Sequence, residues 1–183
     1  MREIKIFARA GQGAITTAAI LGEAFFYQGL YAYAFPHFGA ARMGAPMNAF
    51  LRFDTKPVRL RSQVYQPDYI IVADPTLIAS CDVFKGMKEN GIAIISVRED
   101  TKIENYPSHI KLVTLEAEKI ALEVIGKPFS NTVLLGAFAK ATQEVKLDFL
   151  LEAIKKRFLA KPEVAEKNLE AIKKGFDSAS GNF

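Results

Sequence analysis

Two glycines separated by one residue, after an apolar run and before small residues and hydroxyls, can do a particular kind of chemistry. Here they are Gly11 and Gly13 of "ARAGQGAITTAA" (residues 8 to 19), preceded by "EIKIF" and followed by Thr16 and Thr17. Between a strand and a helix, glycine lets main-chain N–H groups approach an oxyanion closely, and the helix start adds about half a positive charge. A threonine hydroxyl would add a donor. The chemistry on offer is the holding of a phosphate, and spacing removes two familiar versions of it. The dinucleotide pattern G-x-G-x-x-G needs glycine where Thr16 stands, and no Gly-Lys-Ser/Thr follows to make a P-loop. Nicotinamide dinucleotides also need an acid near the end of the second strand, and "AYAFPHFGAAR" contains none. A tight turn that holds nothing needs the same two glycines, so both readings stay open at this point.

A second unusual passage is "AFPHFGAARMGAP" (34 to 46), placed after the second strand, where open α/β sheets bind ligands. Phe35, Pro36, His37, Phe38, Gly39, Arg42, Gly44 and Pro46 together are too specialised for an ordinary turn. The Arg42 fork suits a phosphate, a carboxylate or a protein interface, and His37 is read as a packing or hydrogen-bonding residue rather than a proton shuttle. Asp74, ending "YIIVAD", reads as a cap for the helix after Pro75, with a ligand contact as the alternative. No paired carboxylates, Ser-His-Asp set or Cys-His pair stands out, so no catalytic residue is assigned. His37 and His109 are the only histidines and Cys81 the only cysteine, which rules out most familiar metal cages and leaves too few thiolates for an iron–sulfur cluster, which takes about four.

These residues need elements to position them. "REIKIF", "YIIVAD" and "IAIISV" are short β-branched runs suited to strands covered on both faces, as in a parallel sheet. Helices are expected over 14–28, closed by Gly29, and over 83–90, 116–126, 131–142, 148–158 and 162–176. The passage 47–65 reads as two strands around "DTK", a hairpin and antiparallel element at one edge. Alternation of strands and helices gives an α/β class: an open, mostly parallel, Rossmann-like sheet flanked by helices.

The 183 residues, half of them hydrophobic, suit a single domain over 1–183 with a helical C-terminal extension from about 144. The charge of +4, from 24 basic and 20 acidic residues, is too mild and too scattered for a nucleic-acid partner. No apolar run approaches the ~20 residues of a membrane span, and no secretory leader is evident, so a cytoplasmic location is expected.

Taken together, "ARAGQGAITTA", "AFPHFGAARMGAPMNAFLRF", "PVRLRSQVYQPDYIIVAD" and "SNTVLLGA" resemble, in order from Arg2 to about Ala141, the gamma subunit of the 2-oxoacid:ferredoxin oxidoreductases, such as pyruvate synthase. The resemblance implies one subunit of a complex that decarboxylates a 2-oxoacid oxidatively, forms an acyl-coenzyme A and passes electrons to ferredoxin. Thiamine diphosphate and the iron–sulfur clusters would lie on alpha, beta and delta partner subunits, and this chain alone would be inactive. It also implies that the chain helps bind coenzyme A. Arg9, Gly11, Gln12, Gly13, Ala14, Thr16, Thr17 and Arg42 are the candidate contacts, the loop holding a phosphate and Arg9 or Arg42 supplying charge. "ARAGQGA" and "GAARMGAP" look more like the pyruvate branch than the 2-oxoglutarate branch, although Ala10 stands where the family commonly has glycine. A nucleotide-binding regulatory module and a purely structural assembly subunit are the alternatives.

Overall fold

A computed structural model describes residues 1–37, 42–99 and 101–179. Its elements are β1 (Arg2–Arg9), α1 (Ala14–Tyr27), β2 (Tyr31–His37), β3 (Pro46–Asp54), β4 (Tyr69–Val72), α2 (Leu77–Ser80), β5 (Ile92–Ser96), β6 (Lys111–Leu115), α3 (Ala117–Ile125), α4 (Asn131–Thr142), α5 (Leu147–Arg157) and α6 (Pro162–Ser178). The six strands form one sheet in the order β2-β3-β1-β4-β5-β6. Strands β1, β4, β5 and β6 run parallel, and β3 is antiparallel to both β1 and β2. This is the expected open, mostly parallel α/β sheet.

The two faces of the sheet are covered differently. On β1, Ile4, Ile6 and Ala8 join a large core beneath the helices α1, α3, α4, α5 and α6, while Phe7 points to a smaller core with Ile70, Val72, Val83, Phe84 and Met87. Strand alternation sends neighbouring side chains to opposite faces, so both faces must be covered. Helices α4 and α6 cross so closely that a Cβ on Gly136 would lie 2.0 Å from the Ile172 carbonyl oxygen, and one on Gly175 2.0 Å from that of Val133. The C-terminal helices therefore share the core under α1 and α4 rather than trailing from it.

Three local expectations need correction. The antiparallel edge is built from β2 and β3, not from a hairpin over 47–65, because residues 57–65 form no strand. The Arg52 side chain, 1% exposed, explains this. Its guanidinium donates to the carbonyls of Leu60 (3.4 Å), Ser62 (2.6 Å) and Gln63 (3.0 Å), and its Nε to Glu3 Oε1 (2.8 Å). Carbonyls that a strand would offer to a neighbouring strand are taken by a side chain, and the segment becomes a strap over the second face. Residues 83–90 are also not a helix: Gly86 has φ +76°, and a Cβ there would meet the Tyr65 carbonyl oxygen at 2.3 Å, so the apolar spacing of Val83, Phe84 and Met87 packs turns instead. Finally, the passage 34–46 does not simply follow the second strand, since Ala34 to His37 belong to β2; Phe38 and Gly39 lie outside the described residues.

Candidate functional site

The carboxyl ends of β1 and β4 lie beside the start of β3, where Arg9 is paired with Pro46. Gly11 and Gly13 both adopt left-handed backbone, with φ +102° and +83°, and Gly13 is the N-cap of α1. This conformation favours glycine for steric reasons. Gly13 also faces the start of α4, since a Cβ on it would stand 3.2 Å from the Asn131 amide nitrogen. The first N–H groups of a helix have no partner within it. Among the described residues, the amides of Gly13, Ala14, Ile15 and Thr16 donate to no protein acceptor.

The glycine loop opens into a cleft of about 560 Å³. Gly11, Gln12, Gly13 and Thr16 line one side, and Lys127, Phe129 and Asn131, on the approach to α4, line another. Arg157 and Phe158 at the end of α5, with Lys167 and Asn168 of α6, complete it. Arg157 pairs with Glu23 at 3.3 Å, whereas among the described residues Lys127 and Lys167 form no ion pair. A shallower hollow of about 620 Å³ beside Tyr27 and Lys161 shares Arg157 and Phe158 with the cleft. Chemically, the cleft offers main-chain amides and cations for phosphate, and two aromatic rings for a flat apolar group.

Of the residues expected from the sequence, Gly11, Gln12, Gly13 and Thr16 come together on the cleft wall. Ala14 is buried at the start of α1, and Thr17 is buried with its hydroxyl donating to the Gly13 carbonyl at 3.0 Å. Arg42 is exposed on the loop before β3 and does not line the cleft. Arg9 points to Asp74: its Nε donates to Asp74 Oδ2 at 3.0 Å, its Nη1 to the Gly44 carbonyl at 3.1 Å and its Nη2 to Thr76 Oγ1 at 2.7 Å. Asp74 also accepts from the Thr76 amide at 2.9 Å and from Gln12 Nε2 at 3.1 Å; the first bond closes the turn ahead of α2 and is not the expected cap, since the N-cap of α2 is Thr76 and no side chain caps it. Burial by itself would push the Asp74 carboxyl up, but the Thr76 hydroxyl and amide, Gln12 and Arg9 outweigh it and hold it below its ordinary value. His37 meets Gln63 at 3.0 Å, away from the cleft.

Lys127, Phe129, Arg157, Phe158 and Lys167 were not singled out in the sequence. They lie on three separate stretches, and only folding assembles them. Asn131 carried a signal, being part of "SNTVLLGA".

Comparison with known proteins agrees with this fold. The family described as pyruvate ferredoxin/flavodoxin oxidoreductase matches residues 3–178. The "Pyruvate/ketoisovalerate oxidoreductases common subunit gamma" of Pyrococcus furiosus is 43% identical over 182 residues, spanning 97% of this chain and 96% of that protein. The crystal structure of pyruvate oxidoreductase subunit PORC from Thermotoga maritima superposes with a TM-score of 0.83 at 32% identity, covering 100% of this chain and 98% of that one. The 2-oxoglutarate:ferredoxin oxidoreductase of Magnetococcus marinus, solved with 2-oxoglutarate, coenzyme A and succinyl-CoA bound, contains the same fold in 30% of its chain, with a TM-score of 0.80 over 95% of this chain at 21% identity. The chain belongs to the pyruvate ferredoxin/flavodoxin oxidoreductase family and is a gamma-type subunit of such an enzyme.

Proposed function

We propose that this subunit holds coenzyme A for a 2-oxoacid:ferredoxin oxidoreductase, with pyruvate as the 2-oxoacid. The observation that carries the reading is the cleft itself, where the glycine loop, two unpaired lysines and two phenylalanines face one space. Coenzyme A joins phosphates to a flat adenine, and each part has a counterpart there. The amides of Gly13, Ala14, Ile15 and Thr16 bind a phosphate at the start of α1, Lys127 and Lys167 add charge, and Phe129 or Phe158 supports the adenine ring. Pyruvate is supported by the Thermotoga relative, a pyruvate oxidoreductase subunit, while the Pyrococcus subunit is common to pyruvate and ketoisovalerate oxidoreductases. The Magnetococcus enzyme, with coenzyme A bound, supports the ligand.

Thiamine diphosphate, which stabilises the carbanion formed on decarboxylation, and the iron–sulfur clusters that lead electrons to ferredoxin belong on this reading to alpha, beta and delta partner subunits. The donor set of this chain does not fit an iron–sulfur cluster, which takes about four thiolates. Cys81 is its one thiol, and among the described residues no three His, Cys, Asp or Glu side chains converge. The subunit contributes binding and orientation, as protein does around reactive cofactors, and has no turnover of its own. A cytoplasmic location completes the reading; no described helix is long and apolar enough to cross a membrane.

The test is calorimetry of coenzyme A against the assembled complex carrying Gly13→Asp. That change puts a carboxylate beside Asn131 at the mouth of the loop. Loss of measurable affinity is expected, and unchanged affinity removes the loop from the site.

A further inference from the structure

We propose that Arg9 and Asp74 are positioning residues that clasp the glycine loop, which is one wall of the cleft, to the two loops beside it, and that Arg9 is not itself a phosphate ligand. The inference rests on the coenzyme A reading of the cleft and revises the part Arg9 would play in it. All three guanidinium nitrogens are used within the chain, and each reaches a different group. Nε is on the Asp74 carboxylate, Nη1 on the Gly44 carbonyl and Nη2 on the Thr76 hydroxyl. Gln12, inside the glycine loop, ties back to the same pair. Its Oε1 accepts from the Arg9 amide at 2.7 Å while its Nε2 donates to Asp74 at 3.1 Å. One arginine and one carboxylate therefore join the β1–α1 loop, the approach to β3 and the β4–α2 turn.

The position of the segment before β3 gives the clasp its consequence. The amide of Ala10 donates to the Ala45 carbonyl at 2.9 Å and that of Gly44 to the Ala10 carbonyl at 3.1 Å, so this segment lies against the glycine loop. Met43 rests where a Cβ on Gly11 would come within 2.8 Å of its sulfur, although the residue is 86% exposed. An exposed thioether is not held by burial. What fixes the segment is main-chain pairing and the bond from Arg9 to Gly44. Charge-assisted, forked contacts of this kind set geometry as well as energy. Releasing them lets the glycine loop, held from behind by this segment and by Gln12, drift as a wall of the cleft, and small misplacements of a binding wall cost affinity steeply.

The experiment is a double-mutant cycle on the assembled complex, with Arg9→Lys, Asp74→Asn and the pair. It reads KM for coenzyme A, KM for the 2-oxoacid, and amide hydrogen exchange at residues 10–13 and 42–46. The expected result is that each single change raises KM for coenzyme A about tenfold, that the pair does no worse than either alone, and that KM for the 2-oxoacid does not move. Exchange in both segments should quicken. If Arg9 were a ligand cation, lysine would largely replace it and Asp74→Asn would free it, leaving or lowering KM; that pattern overturns the proposal. Multiplying effects of the two changes overturn it as well. Faster exchange with an unmoved KM shows a clasp that serves the fold alone, and it too overturns the proposal. Failure of the cleft reading appears separately, as unchanged coenzyme A affinity in Gly13→Asp.

Discussion

The amino and carboxyl ends of the strands are both rich in charge and use it in opposite ways. At the amino end Arg2, Arg52 and Lys88 each have a carboxylate. Asp68 accepts from Arg2 at 2.9 Å and from Lys88 and the Glu3 amide, each at 2.8 Å. Glu3 holds Arg52 at 2.8 Å, and Glu144 holds Arg2 at 3.4 Å and the Tyr69 hydroxyl. At the carboxyl end, Arg9 and Asp74 satisfy each other, but among the described residues Lys127 and Lys167 face the cleft unpaired and the first amides of α1 are unclaimed. A charge cluster that satisfies itself belongs to the fold, whereas like charges gathered at an open concave surface are arranged for something that comes from outside.

This contrast can be broken in three ways. The largest effect is expected at the amino end from Arg52→Leu, which leaves Glu3 with Lys88 at 3.6 Å and strands the carbonyls of the 57–65 strap. Removing one member of a buried pair costs about 3–5 kcal/mol, measurable by chemical denaturation, and a loss below about 1 kcal/mol would reduce Arg52 to a surface-like contact. At the carboxyl end, Lys127→Ala with Lys167→Ala should leave stability within about 0.5 kcal/mol while weakening coenzyme A binding to the complex about tenfold by calorimetry. A destabilisation without lost affinity would make the two ends alike.

The smallest effect is a pH dependence. Burial would raise the Asp68 carboxyl, but Lys88, Arg2 and the Glu3 amide hold it below its ordinary value of 3.8. A carboxyl depressed in the folded state stabilises fully above its unfolded value, and that stability is lost as pH falls through the lower folded value. Asp68→Asn should therefore flatten the loss of thermal stability in acid below about pH 4, and an unchanged acid limb would show that Asp68 does not govern it.

Much of the fold was legible in the sequence because it is locally encoded. The β-branched run "YIIVAD" and the helix at 131–142 stand where the sequence placed them, and Gly29, with φ +88°, follows α1 as expected. The strand 111–115 was not anticipated. The 57–65 and 83–90 segments misled for one shared reason. Apolar periodicity reports which residues are buried but not how the backbone must run to bury them, and here the Arg52 guanidinium takes the carbonyls of one segment while left-handed Gly86, close against the Tyr65 carbonyl, breaks the other. The site divides in the same way. Gly11, Gln12, Gly13 and Thr16 form a contiguous pattern and could be read, whereas Lys127, Phe129, Arg157, Phe158 and Lys167 are ordinary residues until α4, α5 and α6 pack.

By itself the sequence determined the order of most elements, the glycine turn between β1 and α1, and the family, because short-range steric and apolar patterns are written in consecutive residues. Only the tertiary structure decided which cations are spent and which face the cleft. Arg9 and Lys127 have the same sign on paper, and the difference between them is an aspartate 65 residues away in the chain.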